Sequence, residues 1–438
     1  MNISEKIFDS GVVGAGGAGF PTHIKANSNV EFVIGNGAEC EPLLHKDYEL
    51  MVNFASDIVN GMQLLIESTK AKKGMFGIKA KNTKAISEIE KHTNNLNIGT
   101  NYLKDYYPAG DEYELVYNLT NRLIPPKGIP LDVNVVVNNV ETLFNISNAY
   151  KGLPVTEKFV SVAGAVKKPS AFFVPVGTKL KDILNFVGTP DINNSAVFIG
   201  GIMMGTITFD FEEVITKTTG GIIVLPKNHY LVKRLNRNIK SMNRIGKSAC
   251  DQCSYCTEFC PRGLLGYDVQ PHKVMRSLSF TKSGKKLWNV FSDLCSSCGL
   301  CTLYACPEDL YPREACNQGK KYLKEKGIVF NQSKPLKVHP IRNGRNVPTK
   351  QLMKKLNIEN YDYPTPFVKK FPLPKKVKIK LKQHVGAPAK PEIKLGSTVK
   401  KGDLIANIHQ GNLGAKIHAS LSGKVVEITD TYILIERK

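Results

Sequence analysis

Nine of the ten cysteines in this 438-residue chain fall between Cys250 and Cys316, and eight of them form two tandem runs. Cys250, Cys253, Cys256 and Cys260 follow the spacing C-x-x-C-x-x-C-x-x-x-C, with Pro261 next. Cys295, Cys298 and Cys301 repeat it, but four residues precede Cys306, and Pro307 follows. Three soft thiolates within seven residues can curl around one four-iron cubane. In two-cluster proteins the remote fourth cysteine ligates the other cluster. On that rule Cys250, Cys253, Cys256 and Cys306 hold one 4Fe-4S cluster, and Cys295, Cys298, Cys301 and Cys260 hold a second. Zinc sites favour two separated pairs instead. A disulfide framework belongs to short chains in oxidising compartments. Two such clusters make a relay for single electrons. Cys40 and Cys316, outside the runs, read as packed thiols.

A relay needs a donor, and the first 152 residues offer a place for one. "GVVGAGGAGFPTHIKAN" strips Gly14, Gly16, Gly17 and Gly19 of side chains, so that backbone N–H groups can approach an anion, and Lys25 can reach a phosphate from the next turn. By itself such a loop is more often a flexible turn. The segment Glu31–Ile34 then reads as a buried strand that breaks at Gly35-Asn36-Gly37 into a loop carrying Glu39 and Glu41. Ligands of α/β sheets bind at that end of the strands. A strand at Gly74–Ile78 and a helix near Thr83–His92 continue the alternation. Asp111 can cap a helix opened by Glu112. The strand Val133–Val137 ends in Asn138-Asn139, whose amides can read the edge of a heterocycle, with Thr142 beyond.

The order GxGGAGFPT…K, N-x-A-E-x-E-P, Y-x-x-G-D-E and V-N-N-V-E-T resembles the flavin-bearing subunit of respiratory complex I. The wording "NGAECEPLLHKDYELM" is more similar to the RnfC component of the Rnf complex and to the cobalamin reductases of propanediol-utilising microcompartments. The resemblance implies FMN held noncovalently by Gly14, Gly16, Gly17, Gly19, Lys25, Asn36, Asp111, Asn138, Asn139 and Thr142. It implies NADH stacking on the flavin near Phe20, Glu39, Glu41 and Tyr107. The structural alternative for Phe20 and Tyr107 is ordinary core packing. Ala15 stands where the respiratory loop has an arginine, so one phosphate contact is absent.

The rest of the chain must position these groups. Residues 153–235 give short strands around a Lys-Pro-Ser turn and resemble the soluble-ligand-binding β-grasp (SLBB) fold; Met203-Met204 there reads as core packing. Residues 236–330 form a two-cluster ferredoxin-like helical domain, with a helical segment near Pro271–Ser277. Residues 331–376 read as an extended linker with one short helix at Thr349–Leu356. Residues 377–438 alternate at strand period and resemble a barrel-sandwich hybrid. Lipoyl domains carry a lysine arm at a hairpin tip, but Lys416 sits in Ala-Lys-Ile, against that role. The expected architecture is thus multidomain α/β plus β: a complex I flavin-subunit-like Rossmann-type α/β domain over residues 1–152, then the three modules above.

The net charge of +22 admits nucleic acid, but the lysines are spread and lack a recognition or stacking pattern. An acidic redox partner fits better. MNISEKIFDS has no secretory pattern, and no window approaches a membrane span. The expected protein is a cytoplasmic NADH-dependent oxidoreductase, inside a microcompartment or peripheral at a membrane. Its electrons would go to a partner protein or corrinoid. A membrane Rnf-type assembly and a D-proline-reductase-associated carrier are alternatives within the class. A non-catalytic scaffold with structural clusters is the alternative outside it.

Overall fold

The computed structural model describes residues 2–280, 288–409 and 411–437. In the first domain, strands β1 (Phe32–Gly37), β2 (Lys73–Lys79), β3 (Ile98–Leu103) and β5 (Val135–Asn139) make a parallel sheet in the order β3-β2-β1-β5. β4 (Tyr106–Tyr107) lies outside it. Helices α1 (Ile3–Asp9), α2 (Thr22–Ala26), α3 (Lys46–Thr69), α4 (Thr83–Thr93), α5 (Glu112–Thr120) and α6 (Val140–Tyr150) complete the unit. β1 does not break at Gly35 as its glycines suggest. It runs through Gly37, because each of its residues meets a partner on β2. A Cβ on Gly35 would come within 2.5 Å of Phe76, so the glycine serves sheet packing, and the loop begins two residues later. The long helix α3 packs on α6 at similarly close range: a Cβ on Gly61 would lie 1.9 Å from the Leu143 carbonyl oxygen.

The second unit is a five-stranded sheet ordered 170–175, 157–164, 221–226, 195–199 and 206–208, with a helix at Leu180–Phe186 over it. Its pairs are antiparallel except for a parallel one between 221–224 and 161–164. The cysteine region consists of short helices, among them Ile239–Ala249, Pro271–Ser277 and Pro312–Glu325. The last unit closes two small antiparallel sheets around Val377, Ile379, Ile405, Val425 and Ile433, all fully buried.

Residues 331–376 join units without hanging free. Val347 and Pro348 pair with Tyr107 and Tyr106 on β4, and Phe367 packs among Phe54, Phe159 and Phe173. Val347, Leu352, Leu356 and Ile358 of this Pro- and Lys-rich stretch are buried against neighbouring units, which makes it a strap and not a tether.

Candidate functional site

Parallel pairing sets Asn36 of β1 beside Asn139 of β5, so both strands deliver their ends to one rim. There a cavity of 320 Å³ opens. Gly14, Gly16, Phe20, Lys25, Asn36, Asn138, Asn139 and Thr142 line it, as do Gly110, Glu112, the Ile129–Leu131 turn and the Val135–Val137 backbone. The glycine loop is fixed from below: Thr142 Oγ1 accepts from the Ala15 N–H at 2.9 Å. Ala15 itself is fully buried, so an arginine at this position would have no outlet. A different cation reaches the loop. Lys158, from the β-grasp sheet, donates to the Ala15 carbonyl at 2.9 Å and to Glu141 at 2.6 Å.

That lysine belongs to a buried charge network. Lys46 binds Glu141 at 2.9 Å and Asp47 at 2.6 Å, and Asn139 donates to Asp47 at 2.7 Å. Burial opposes the Lys46 charge, but Asp47 and Glu141 win and hold its pKa above the ordinary value. Burial pulls Lys158 down to about 8, although Glu141 works against it. The network locks Asn139 and the loop together from beneath.

Lys25 reaches the cavity wall as expected and donates to the Val137 carbonyl at 2.7 Å, with Glu112 3.8 Å away. Burial lowers its pKa. Asn36 donates to the Gly110 carbonyl at 2.9 Å, tying β1 to the start of α5. Asp111 caps α5, accepting from Tyr113 N–H at 3.0 Å, and faces away from the cavity toward Arg262. Gly17 and Gly19 lie outside the lining; Gly19 instead accepts from the Val385 N–H at 3.0 Å. Val385, from the C-terminal barrel, also lines the cavity. No local pattern in the sequence announces it, since it arrives from the far end of the chain.

The three other residues assigned to the nicotinamide side do not line the cavity. Glu39 is enclosed and accepts from the Asp47 N–H at 2.9 Å; burial, then Asp47, push its carboxyl up to about 8. Glu41 turns to the β-grasp unit and accepts from Met203 N–H at 3.0 Å and Met204 N–H at 2.9 Å, with burial raising it to about 7. Met203 is buried as core, whereas Met204 is exposed. Tyr107 is 1% exposed and donates to the Cys298 carbonyl at 2.7 Å, so it belongs to the cysteine region.

The cavity suits a flavin mononucleotide. Both polar atoms of the Asn138 side-chain amide are buried without a partner among the described residues. Such orphan atoms cost about 1–3 kcal/mol each until something bonds them, and a heteroaromatic edge with donors and acceptors does so. Glycines at 14 and 16 leave the backbone open to a phosphate, and the apolar strand backbone and Leu131 offer a face for a ring system.

The cysteines of the two runs gather in one region of short helices. Cys250, Cys253, Cys256 and Cys306 surround one small void. Leu310 N–H donates to Cys306 Sγ at 3.3 Å and the Gln252 amide to Cys250 Sγ at 3.1 Å. Burial, then Cys295 and Cys298, raise Cys260, and burial, then Cys295, Cys298, Cys256 and Cys260, raise Cys301, so Cys301 neighbours these thiols and also Cys256 of the first group. Ser297 N–H donates to Cys295 Sγ at 3.3 Å. Among the described residues no three His, Cys, Asp or Glu side chains are grouped as a single metal ion needs. A cubane spreads its four thiolates over four irons, and its ligands stand wider apart. Cys316 is fully buried; Cys40 is enclosed, and burial pushes its thiol up to about 12. Lys416, not free to swing, pairs with Asp9 at 2.7 Å.

Comparison with known proteins matches these regions one by one. Residues 7–148 match the Nuo51 FMN-binding domain, residues 249–311 the 4Fe-4S dicluster domain, and residues 360–438 the RnfC barrel sandwich hybrid domain. Cobalamin reductase PduS of Salmonella typhimurium is 36% identical, over 99% of this chain and 96% of that protein. The C component of the proton-translocating ferredoxin:NAD(+) oxidoreductase complex of Clostridium ljungdahlii is 34% identical over 59% of this chain and 55% of that protein. A crystal structure of an NAD+-reducing NiFe-hydrogenase in the H2-reduced state aligns with a TM-score of 0.50 at 19% identity, over 78% of this chain and 65% of that one, a likeness of fold.

Proposed function

This chain belongs to the cobalamin reductase PduS family, and from that premise we propose that FMN bound in it takes hydride from NADH and that two 4Fe-4S clusters carry single electrons on to a corrinoid. It is an NADH-linked flavo-iron–sulfur electron-transfer protein; the corrinoid as acceptor and the roles of individual residues are the proposed part. In this reading Gly14, Gly16 and Lys25 hold the phosphate end, Asn138 and Asn36 meet the ring edge, and Phe20 offers a stacking face. The protein positions and insulates; no acid–base residue is required of it.

One observation carries the route. Arg262, two residues after the cluster ligand Cys260, pairs with Asp111 at 3.1 Å, and Asp111 caps the helix whose first residue, Glu112, lines the flavin cavity. The Tyr107 bond to Cys298 adds a second link to the same cluster. This supports the order flavin, second cluster (Cys260, Cys295, Cys298, Cys301), first cluster. Cys253 of the first set is exposed, which suits an exit. The helix Ile239–Ala249 runs to Cys250 with Lys240, Arg244 and Lys247 exposed, a basic approach for an acceptor or its carrier.

The setting proposed is the cytoplasm, within a microcompartment or docked on a membrane assembly of Rnf type. Among the described residues no helix is long and apolar enough to cross a membrane.

The experiment compares Cys253→Ser and Cys298→Ser with the parent protein after anaerobic reconstitution. Iron should fall from about eight to about four per chain. NADH should still bleach the flavin, and corrinoid reduction should be lost in both. Undiminished corrinoid reduction in either variant would remove its cluster from the route.

A further inference from the structure

Arg262 has a surplus of donors. Its side chain is 11% exposed. The guanidinium lies flat on Tyr113, with its carbon 3.3 Å from the ring centroid, and Tyr267 meets Tyr113 edge-on at 5.2 Å. Nη2 donates to Asp111. Nε and Nη1, however, are shut off from solvent and have no partner among the described residues. Two buried N–H-bearing atoms of a permanently charged group are not left idle at small cost.

Their surroundings say what completes them. Arg262 follows the cluster ligand Cys260 by two residues. Arg262 also shares a cavity of 170 Å³ with Cys295, Ser296 and Leu294, on whose far side Lys127 pairs with Asp293 at 2.5 Å. Two ligands of the second cluster, Cys260 and Cys295, therefore flank the guanidinium. Among the described residues the one carboxylate bonded to it, Asp111, occupies Nη2.

We propose that Arg262 is a potential-setting residue for the second cluster: its Nε and Nη1 donors serve that cluster's sulfur atoms, and its fixed charge favours the more negative, reduced form. This inference rests on the electron route proposed above and deepens it. One electron is added beside Arg262 and the same electron leaves toward the first cluster. The arginine is neither oxidised nor reduced, and no proton moves. Donors to cluster sulfurs and nearby charge are among the levers by which proteins set cluster potentials. Raising the potential of the cluster beside the flavin makes the first single-electron step downhill, and stacking on Tyr113 plus the Asp111 bond keep the guanidinium in place.

The test is a redox titration followed by electron paramagnetic resonance on the reconstituted full-length protein and on Arg262→Gln and Arg262→Lys. In Arg262→Gln the equilibrium constant for adding one electron to the second cluster should fall at least about tenfold, 59 mV on a one-electron couple. Arg262→Lys keeps the charge but not the fork and should fall by less. The first cluster should keep its potential in both. If Arg262→Gln does not assemble its iron, the lysine variant decides alone. A second-cluster potential unchanged in the assembled variants, or both clusters shifting equally, would overturn the assignment. Retained iron content and NADH bleaching in those same samples would leave the electron-transfer reading standing, so the two failures are separable.

Discussion

Replacing Glu41 by glutamine tests how the flavin unit is clamped to the β-grasp unit. The carboxylate accepts the N–H groups of Met203 and Met204, and Arg313 of the cluster region holds the Met203 carbonyl at 2.7 Å, so three units meet at this point. Burial raises the Glu41 pKa from an ordinary 4.5 to about 7 despite these bonds. An acid whose folded pKa lies above its unfolded one binds more protons when folded. Its contribution is fully present below pH 4.5 and is lost as pH rises through about 7. The raised pKa corresponds to about 3 kcal/mol between those limits. On a chain of this size that is roughly 3 °C in melting temperature. Glutamine cannot ionise; it keeps one of the two acceptor oxygens, and the bond lost at the other lowers the variant by a similar amount at every pH. The difference in melting temperature between the variant and the parent should therefore move in the variant's favour by a few degrees from about pH 5 to about pH 7.5. Subtracting the two profiles also removes the contribution of Glu39, which titrates nearby. Bound FMN should be unaffected, because Glu41 does not line the cavity. Parallel pH profiles, or loss of flavin in Glu41→Gln, would refute this account and return Glu41 to the nucleotide site.

Two further substitutions separate the flavin cavity from its supports. Asn138→Ala removes two unpartnered buried atoms, so the apoprotein should be no less stable while the FMN dissociation constant rises about tenfold or more; fluorescence titration with FMN reads it, and a destabilised apoprotein with unchanged affinity would count against the fit. Tyr107→Phe breaks the bond to the Cys298 carbonyl and should cost about 1–3 kcal/mol in denaturant unfolding with flavin content intact; equal loss of FMN would place Tyr107 in the cavity after all.

The chemistry of this protein was legible in its sequence wherever ligands are local. A cubane takes three thiolates from one short turn, so the spacing alone proposes both cysteine groups, and in the fold Cys250, Cys253, Cys256 and Cys306 surround one void. The glycine loop, Lys25 and the Asn138-Asn139 strand end were legible for a related reason: each is a short segment whose composition already dictates what its backbone presents. What the sequence left open are the contacts between units, because no local spacing encodes which distant surface a side chain will face. Glu41 and Tyr107 sit in motifs beside the nucleotide loop, yet the docking of the β-grasp and cluster units turns one to Met203-Met204 and the other to Cys298. Lys158 and Val385 come to the flavin loop from units with no sequence link to it. The strap at 331–376 looked extended by composition, and only the aromatic core around Phe54 gives Phe367 a place to bury. Arg262 was invisible beside a cluster cysteine until the fold set Tyr113 and Asp111 against it, since stacking and ion pairing across units exist only once tertiary packing has brought the surfaces together.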